Sequence, residues 1–185
     1  MLRALDRAQA YSLTEDDISR LISLRHPNGT VRIVLYPELA KYESLEQLFS
    51  EAPDGIVLFY ETSSSIEGHW CSFWPDSGRK TVHFFDPYGL QPDEAIRYST
   101  YIKTPLLAPL IHSEGAWSVD ASSQRLQSED KGVATCGRWA TVRLLLKSLS
   151  HMQFARLFSK AGGLDGDLWV TSLSLLALPK DYSFV

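Results

Sequence analysis

Residues 69–86 of the chain read HWCSFWPDSGRKTVHFFD, two β-rich runs joined by a stretch of turn formers. The runs His69 to Trp74 and Thr81 to Phe85 are rich in aromatic and β-branched residues, which are typical of strands. Pro75-Asp76-Ser77-Gly78 supplies turn residues between them, so this stretch predicts a β-hairpin. Aromatic side chains occur on both faces of the hairpin, which indicates a sheet that is covered on both sides.

The register of this hairpin decides which side chains meet. A turn centred between Ser77 and Gly78 pairs His69 with Asp86. Directly opposed side chains on one sheet face have Cβ atoms about 5 Å apart. The hairpin therefore predicts contact between the His69 imidazole and the Asp86 carboxylate. His83 is the competing histidine, and the same register places it opposite Ser72 on the other face.

Working outward from the hairpin, the remaining patterns predict further helices and strands. Upstream, the predicted elements are a helix over Thr14 to Leu24, a strand over Val31 to Tyr36, a short helix starting at Ser44 and a strand over Ile56 to Tyr60. Downstream, they are a short helix over Pro92 to Thr100, a short strand over Trp117 to Val119, and helices over Cys136 to Leu149, Met152 to Lys160 and Asp165 to Leu178.

The helix predicted over Cys136 to Leu149 is almost continuously apolar, so we expect it to be buried against the sheet. Only Arg138, Arg143 and Lys147 interrupt its apolar pattern. Together the elements predict an α+β fold. It has a central mixed, largely antiparallel sheet, a buried helix against it, and flanking helices.

The chain has 185 residues, 44% of them hydrophobic, which suits a single domain over residues 1–185 with a sizeable core. The net charge of −4 and the lack of a dense Lys/Arg run do not favour a nucleic acid partner, although a local basic patch stays possible. We see no signal-peptide pattern at Met1 to Ala4 and no apolar run long enough to cross a membrane. We therefore expect a soluble monomer in a reducing interior.

The two cysteines, Cys71 and Cys136, have different sequence settings. Cys136 follows a polar loop and opens the apolar helix, where backbone N–H groups and the helix dipole favour the thiolate. Cys71 lies inside a predicted strand and is expected to be a buried, inert thiol. A disulfide between the two stays an alternative, which would consume the nucleophile.

Cys136, His69 and Asp86 form a candidate catalytic set. A thiolate with an imidazole base and a carboxylate that orients the base is suited to acyl transfer. For Asp86 the alternative is a turn residue that caps the backbone of Asp-Pro-Tyr-Gly. We expect a side-chain donor to the oxyanion in the loop before Cys136, and the candidates in this loop are Gln124 and Gln127. No zinc, P-loop or dinucleotide motif occurs, so we expect no metal and no other cofactor.

These motifs, in this order, resemble the clan CE cysteine proteases, which include the adenovirus maturation protease and the SUMO-type proteases. The stretches that carry the resemblance are Gly68-His69-Trp70, Phe85-Asp86-Pro87-Tyr88-Gly89 and Thr135-Cys136-Gly137-Arg138-Trp139-Ala140. The residues of these stretches are most similar to those of the adenain-like proteases of virophages and Polinton-type elements. The resemblance covers about Ile56 to Leu149 and implies the fold of that superfamily.

The resemblance also implies a role for each residue. Cys136 attacks the scissile carbonyl, His69 is its base and then the acid, and Asp86 orients His69. A glutamine and the Cys136 amide stabilise the oxyanion. Trp70 lines a narrow channel for small substrate residues, and its alternative is a core aromatic side chain.

The glutamine departs from the family pattern, which has it six or seven residues before the cysteine. Glu129 and Asp130 occupy those positions here. We choose Gln127, which lies slightly further upstream, and keep Gln124 as the alternative. A second departure is that no third cysteine is present for a covalent peptide activator, so we expect activity without one.

Three functional hypotheses follow. The first is a viral maturation endopeptidase that cleaves capsid or core precursor proteins inside a virion or an infected cell. The second is an isopeptidase that acts on a host ubiquitin-like modifier. The third is a non-catalytic scaffold. The intact set of catalytic residue types argues against the third, and the modest length of the chain favours the first over the second.

Overall fold

A computed structural model of the protein describes residues 2–64, 67–113, 117–159 and 165–175. The strands are β1 (Val31–Leu35), β2 (Gly55–Ser64), β3 (Glu67–Asp76), β4 (Thr81–Phe85) and β5 (Ser118–Ala121). The helices are α1 (Leu2–Gln9), α2 (Glu15–Arg25), α3 (Leu45–Glu51), α4 (Leu107–Ile111), α5 (Cys136–Leu145), α6 (His151–Ser159) and α7 (Gly166–Leu175). Two 3₁₀ helices cover Tyr36–Lys41 and Glu94–Tyr98.

The strands form one sheet in the order β1-β2-β3-β4-β5. The central strands β2, β3 and β4 pair antiparallel, whereas β1 and β5 join the two edges in parallel. Parallel neighbours need a crossover connection, and α3 connects β1 to β2 while α4 lies between β4 and β5. The fold is therefore α+β with a mixed sheet, as the sequence predicts.

The hairpin register differs from the predicted one. Ser72 faces Phe85 and Trp74 faces His83, so the prediction that His83 lies opposite Ser72 is wrong. The cause is that β3 continues through Pro75 and Asp76, which places the turn after Asp76. The register is shifted by two residues from the predicted one, so every side chain stays on its predicted face of the sheet.

Hydrophobic clusters cover the sheet on both sides, which confirms the expectation drawn from the aromatic hairpin. On one side Tyr36, Tyr60, Phe73 and Phe84 pack with residues of α3 and α4. On the other side Trp70, Trp74 and Phe85 pack with residues of α2, α5 and α6. The predicted buried helix is α5, which lies in this second layer.

Helix α5 ends at Leu145, four residues before the predicted Leu149. The Arg143 guanidinium donates to the carbonyl oxygens of Leu146 at 2.9 Å and Leu149 at 2.8 Å. It also lies 4.5 Å from the centre of the Trp74 ring. Arg143 therefore satisfies carbonyl groups where the helix stops, and it is buried although it interrupts the apolar sequence pattern.

Arg138, the other buried arginine of α5, connects helix α1 to helix α7. Its guanidinium donates to Ser174 Oγ at 2.6 Å and to the Ala8 carbonyl oxygen at 3.0 Å. Ala8 belongs to α1, which the sequence did not predict, and Ser174 belongs to α7. Both terminal helices are thereby fixed to the helix that carries Cys136.

The other local predictions are mostly confirmed, with shifted ends. Thr14 caps α2, and its side chain and that of Asp17 form a capping box. Helix α7 is described to Leu175, and the predicted continuation to Leu178 lies outside the described residues. None of the helices in the described ranges is long and apolar enough to span a lipid bilayer.

Candidate active site

Cys136 is the first residue of α5 and 9% of its surface is exposed. The loop before it is held in place because the Ala134 amide donates to the Gln9 carbonyl oxygen at 2.9 Å. As the first residue of a helix, Cys136 has a backbone N–H with no acceptor inside the helix. The sulfur therefore lies beside a free amide donor and the positive end of the helix dipole.

Gly137 allows this helix start to approach the sheet closely. A Cβ atom at Gly137 would lie 3.1 Å from Trp70 Cδ1 and 3.3 Å from Leu13 Cβ, both tighter than ordinary contacts. Its φ angle lies outside the left-handed region, so the reason for glycine here is packing against Trp70 and not a tight turn.

The predicted contact between His69 and Asp86 is present. His69 Nε2 lies 2.7 Å from Asp86 Oδ2, in a pair that is almost completely buried. His69 is near the start of β3, and Asp86 follows the last residue of β4. The two residues are not opposed in the ladder. The carboxylate reaches the ring from just beyond the end of the paired strands.

Asp86 also has the turn role that was its alternative. Its Oδ1 accepts the Tyr88 amide at 2.8 Å, and its carbonyl oxygen accepts the Gly89 amide at 2.9 Å. Gly89 has φ of 75°, and a Cβ atom there would lie 2.7 Å from the Ser123 carbonyl oxygen. The turn is therefore closed by glycine and by the same carboxylate that holds the histidine.

The environment of His69 favours its protonated form. Burial lowers the pKa of the imidazole, but the charge and hydrogen bond of Asp86, together with Cys136, outweigh burial and raise it to about 10. The neighbouring Cys136 side chain also contributes to this rise. Since Nε2 is engaged by Asp86, the nitrogen left for the sulfur is Nδ1. The Tyr88 ring stacks on the imidazole with centres 5.0 Å apart.

The two candidate glutamines differ in burial. Gln127 is 2% exposed, whereas Gln124 lies on the surface. The backbone N–H of Gln127 donates to the Pro87 carbonyl oxygen at 3.1 Å, which ties this loop to the residue after Asp86. Within the described residues, the Gln127 Oε1 atom is buried and has no hydrogen-bond partner. These features distinguish Gln127 from a solvated loop glutamine.

Asp167 is a site residue that the sequence reasoning missed. It is 3% exposed and accepts hydrogen bonds from the Thr135 hydroxyl, from Trp139 Nε1 at 2.7 Å and from the Ser128 amide at 2.8 Å. Thr135 precedes Cys136, and Ser128 follows Gln127. One buried carboxylate of α7 thus fixes the start of the Cys136 helix and the glutamine loop together. No motif identifies it, because its partners lie 28 to 39 residues away.

A groove of about 620 Å³ leads to Cys136. Trp70 forms part of its wall, is 6% exposed, and packs on Phe59 with ring centres 4.4 Å apart. Trp70 is therefore a buried aromatic side chain that also borders the groove, and its contact with substrate stays a prediction. The rim includes the carboxylates Glu15 and Glu67.

Cys71 lies in the core on the other side of the sheet and is fully buried. Burial raises the pKa of its thiol well above the ordinary value, which leaves it protonated and unreactive. Both cysteines are free thiols, so the alternative of a disulfide between them is wrong.

No family model matches the chain. The chain is 28% identical over 165 residues to the uncharacterized protein V9 of Sputnik virophage, with 84% of this chain and 87% of that protein covered. Among solved structures it is similar to the catalytic domain of the Ulp1-like SUMO protease of Chaetomium thermophilum. That match has a TM-score of 0.44 and 14% identity, and it covers 92% of this chain and 73% of the other.

Proposed function

We propose that this chain is a cysteine endopeptidase that processes polypeptides through a thioester intermediate, with Cys136 as nucleophile. The observation that carries the proposal is the buried His69–Asp86 pair, in which Asp86 lies 2.7 Å from Nε2 of the ring. Cys136 opens a helix and is one of the groups that raise the pKa of His69, which supports its place beside the ring. A sulfur, an imidazole and a carboxylate in this order match the requirements of nucleophilic acyl transfer.

In the first step the Cys136 thiolate, whose proton His69 has taken, attacks the scissile carbonyl carbon and forms the carbon–sulfur bond of a tetrahedral intermediate. With its raised pKa, His69 holds a proton at neutral pH. The carbon–nitrogen bond of the tetrahedral intermediate breaks, and the proton on His69 Nδ1 passes to the departing amine. Asp86 fixes the ring through Nε2 and stabilises its positive charge. The product of this step is a thioester on Cys136.

In the second step water attacks the thioester carbon while His69, now neutral, accepts a proton from that water. The carbon–sulfur bond breaks and the carboxylic acid product leaves. Negative charge develops on the carbonyl oxygen in both steps. The free backbone N–H of Cys136 is one donor to that oxygen, and the Gln127 side-chain amide is the proposed second donor.

The shape of the groove supports an extended polypeptide as substrate. Cys136 is largely buried and the bulky Trp70 lines the groove with it, so residues next to the scissile bond should be small. We infer a viral maturation role, cleavage of capsid or core precursors within a virion or an infected cell. The virophage relative supports this context.

Deconjugation of a ubiquitin-like modifier is the second candidate, because the same chemistry cleaves an isopeptide bond. The observation in its favour is that the groove reaches a largely buried Cys136, which also suits an extended tail with small residues. The two candidates differ in whether a folded modifier must be gripped as well as its tail.

The deciding experiment incubates the wild type with the capsid proteins encoded alongside it and with a panel of ubiquitin-like conjugates. Products are identified by mass spectrometry. We expect defined cleavage of a capsid precursor by the wild type and none by Cys136→Ala. Release of a modifier without precursor cleavage would instead support the isopeptidase. Identical products from wild type and Cys136→Ala would remove the protease assignment.

The matched control for this experiment is Cys71→Ala, the other cysteine of the chain. Cys71 faces the opposite core and does not line the groove, so this variant should keep the wild-type product pattern. Iodoacetamide at neutral pH should modify Cys136 selectively and leave Cys71 unmodified. A protein without reactive Cys136 would support the scaffold hypothesis.

A further inference from the structure

A second histidine–carboxylate cluster lies outside the Cys136 site. His83 of β4, Asp120 of β5 and His151 at the start of α6 meet there, and one ligand atom from each lies within 4.8 Å of the others. His83 Nδ1 is 2.9 Å from Asp120 Oδ2, and His151 Nε2 is 4.0 Å from the same oxygen. None of the three lines the groove that leads to Cys136.

The cluster is held by the fold and not by a flexible loop. His83 and Asp120 are directly paired in the parallel ladder of β4 and β5, so their side chains share one face. The Trp74 ring stacks on His83 with centres 5.5 Å apart and also contacts His151 at 5.9 Å. His151 Nε2 lies 3.0 Å from the Asp120 carbonyl oxygen. Two strands and a helix therefore present their groups to the same point.

We propose that His83, Asp120 and His151 form a binding site for a divalent transition metal ion such as Zn²⁺. Imidazole nitrogen and carboxylate oxygen are ordinary zinc ligands, and three protein ligands leave a fourth position for water. With metal–ligand bonds of about 2.0–2.1 Å, tetrahedral ligands lie about 3.3 Å apart. The two distances to Asp120, 2.9 and 4.0 Å, bracket that value, and all three ligand atoms lie within 4.8 Å of one another, so metal binding requires the His151 ring to move towards the other two ligands.

Metal binding would connect the edge strand β5 to helix α6. At present the cluster is joined by the contact of His151 with the Asp120 backbone and by the His83–Asp120 pair. A metal ion would bind His151 Nε2 and so replace the contact of this nitrogen with the Asp120 carbonyl oxygen. The Arg143 guanidinium, which packs on the same Trp74 ring, opposes a further cation here, so binding should be weaker than in a zinc finger.

This proposal departs from the sequence-based expectation of a protein without metal. The three residues lie far apart in the chain and form no motif spacing. The predicted register also placed His83 opposite Ser72, away from any carboxylate. The site becomes visible only when β5 is paired to β4.

The test is titration with Co²⁺, whose visible absorption reports nitrogen and oxygen ligands. It uses the Cys136→Ala variant, because Cys136 with His69 and Asp86 is itself a set of metal-binding groups. We expect about one Co²⁺ per chain and a rise in Tm with added Zn²⁺. Adding His83→Ala or His151→Ala should lower the affinity by about a hundredfold or more. His26→Gln is the matched control, since His26 also contacts a carboxylate, Asp54, at 3.4 Å.

Two results would overturn the proposal. One is no uptake of Co²⁺ by Cys136→Ala under conditions in which the wild type is folded. The other is uptake that His83→Ala and His151→Ala leave unchanged while both variants keep the circular dichroism of the parent. Because peptidase activity is not measured, failure here does not bear on the proposed protease function.

Discussion

Asp86 holds His69 and the backbone turn with different oxygens of one carboxylate. Oδ2 lies 2.7 Å from His69 Nε2, and Oδ1 accepts the Tyr88 amide at 2.8 Å. The carboxylate is fully buried, so both contacts are made away from water. The orientation of the imidazole is therefore coupled to the shape of the Asp-Pro-Tyr-Gly turn.

Asp86→Asn should lower kcat/KM by about a hundredfold or more, because a neutral amide no longer stabilises the protonated ring. The amide can still accept one hydrogen bond, so we expect the variant to fold. Initial rates on the cleaved precursor provide the measurement. Asp54→Asn is the control, since Asp54 also lies beside a histidine, His26, but far along the chain from Cys136. Equal losses in both variants would contradict a specific role for Asp86.

Features set by neighbouring residues were predictable from the sequence. The Thr14 cap of α2 and the helix start at Cys136 each depend on residues within one turn. The faces of the hairpin were predictable too, because alternation does not depend on the position of the turn. The register was not, because the sequence does not show that β3 continues through Pro75 and Asp76.

Features set by distant residues were not predictable. Asp167 is an ordinary first-turn carboxylate in sequence, and only the fold brings it to Thr135 and Ser128. Helix α1 is short, and it is attached to α5 by Arg138, a buried charge that interrupts the apolar pattern of the helix. Burial of such a side chain requires partners that come from both ends of the chain.

Gln127→Ala should lower turnover by about a hundredfold while the variant stays folded, because it removes the proposed donor to the oxyanion. Gln124→Ala is the matched control in the same loop, and it should have little effect because Gln124 is exposed. The measurement is kcat for both variants, with thermal unfolding to show that each is intact. A larger loss from Gln124→Ala would assign the donor role to Gln124 instead.

Asp167→Asn should act on the glutamine loop. One amide oxygen can still accept from Thr135 and Trp139, but the amide nitrogen then faces the Ser128 N–H and cannot accept it. We expect kcat to fall by about tenfold with little change in KM, and stability to fall by about 1–3 kcal/mol.

A double-mutant cycle separates this positioning role from general destabilisation. If Asp167 acts through the loop, the losses in kcat from Asp167→Asn and Gln127→Ala should not add. Asp165→Asn is the control, because Asp165 is exposed and its side chain accepts the Leu168 amide of α7 at 2.7 Å. Fully additive losses in kcat would mean that Asp167 does not affect turnover through the Gln127 loop.

The stability of the protein should fall as pH rises through the alkaline range because of His69. Its pKa is about 10 in the folded protein and about 6.5 in an unfolded chain, so between these values only the folded state holds the proton. The contribution is complete below about pH 6.5 and is lost towards pH 10, with a slope of at most about 1.4 kcal/mol per pH unit. Urea unfolding across this range should show a flatter slope for His69→Gln. Cys136→Ala removes one cause of the raised pKa, so in this variant the stabilising contribution of His69 should be lost completely at a lower pH than in the wild type. An unchanged slope in His69→Gln would mean that the imidazole is not protonated in the folded site.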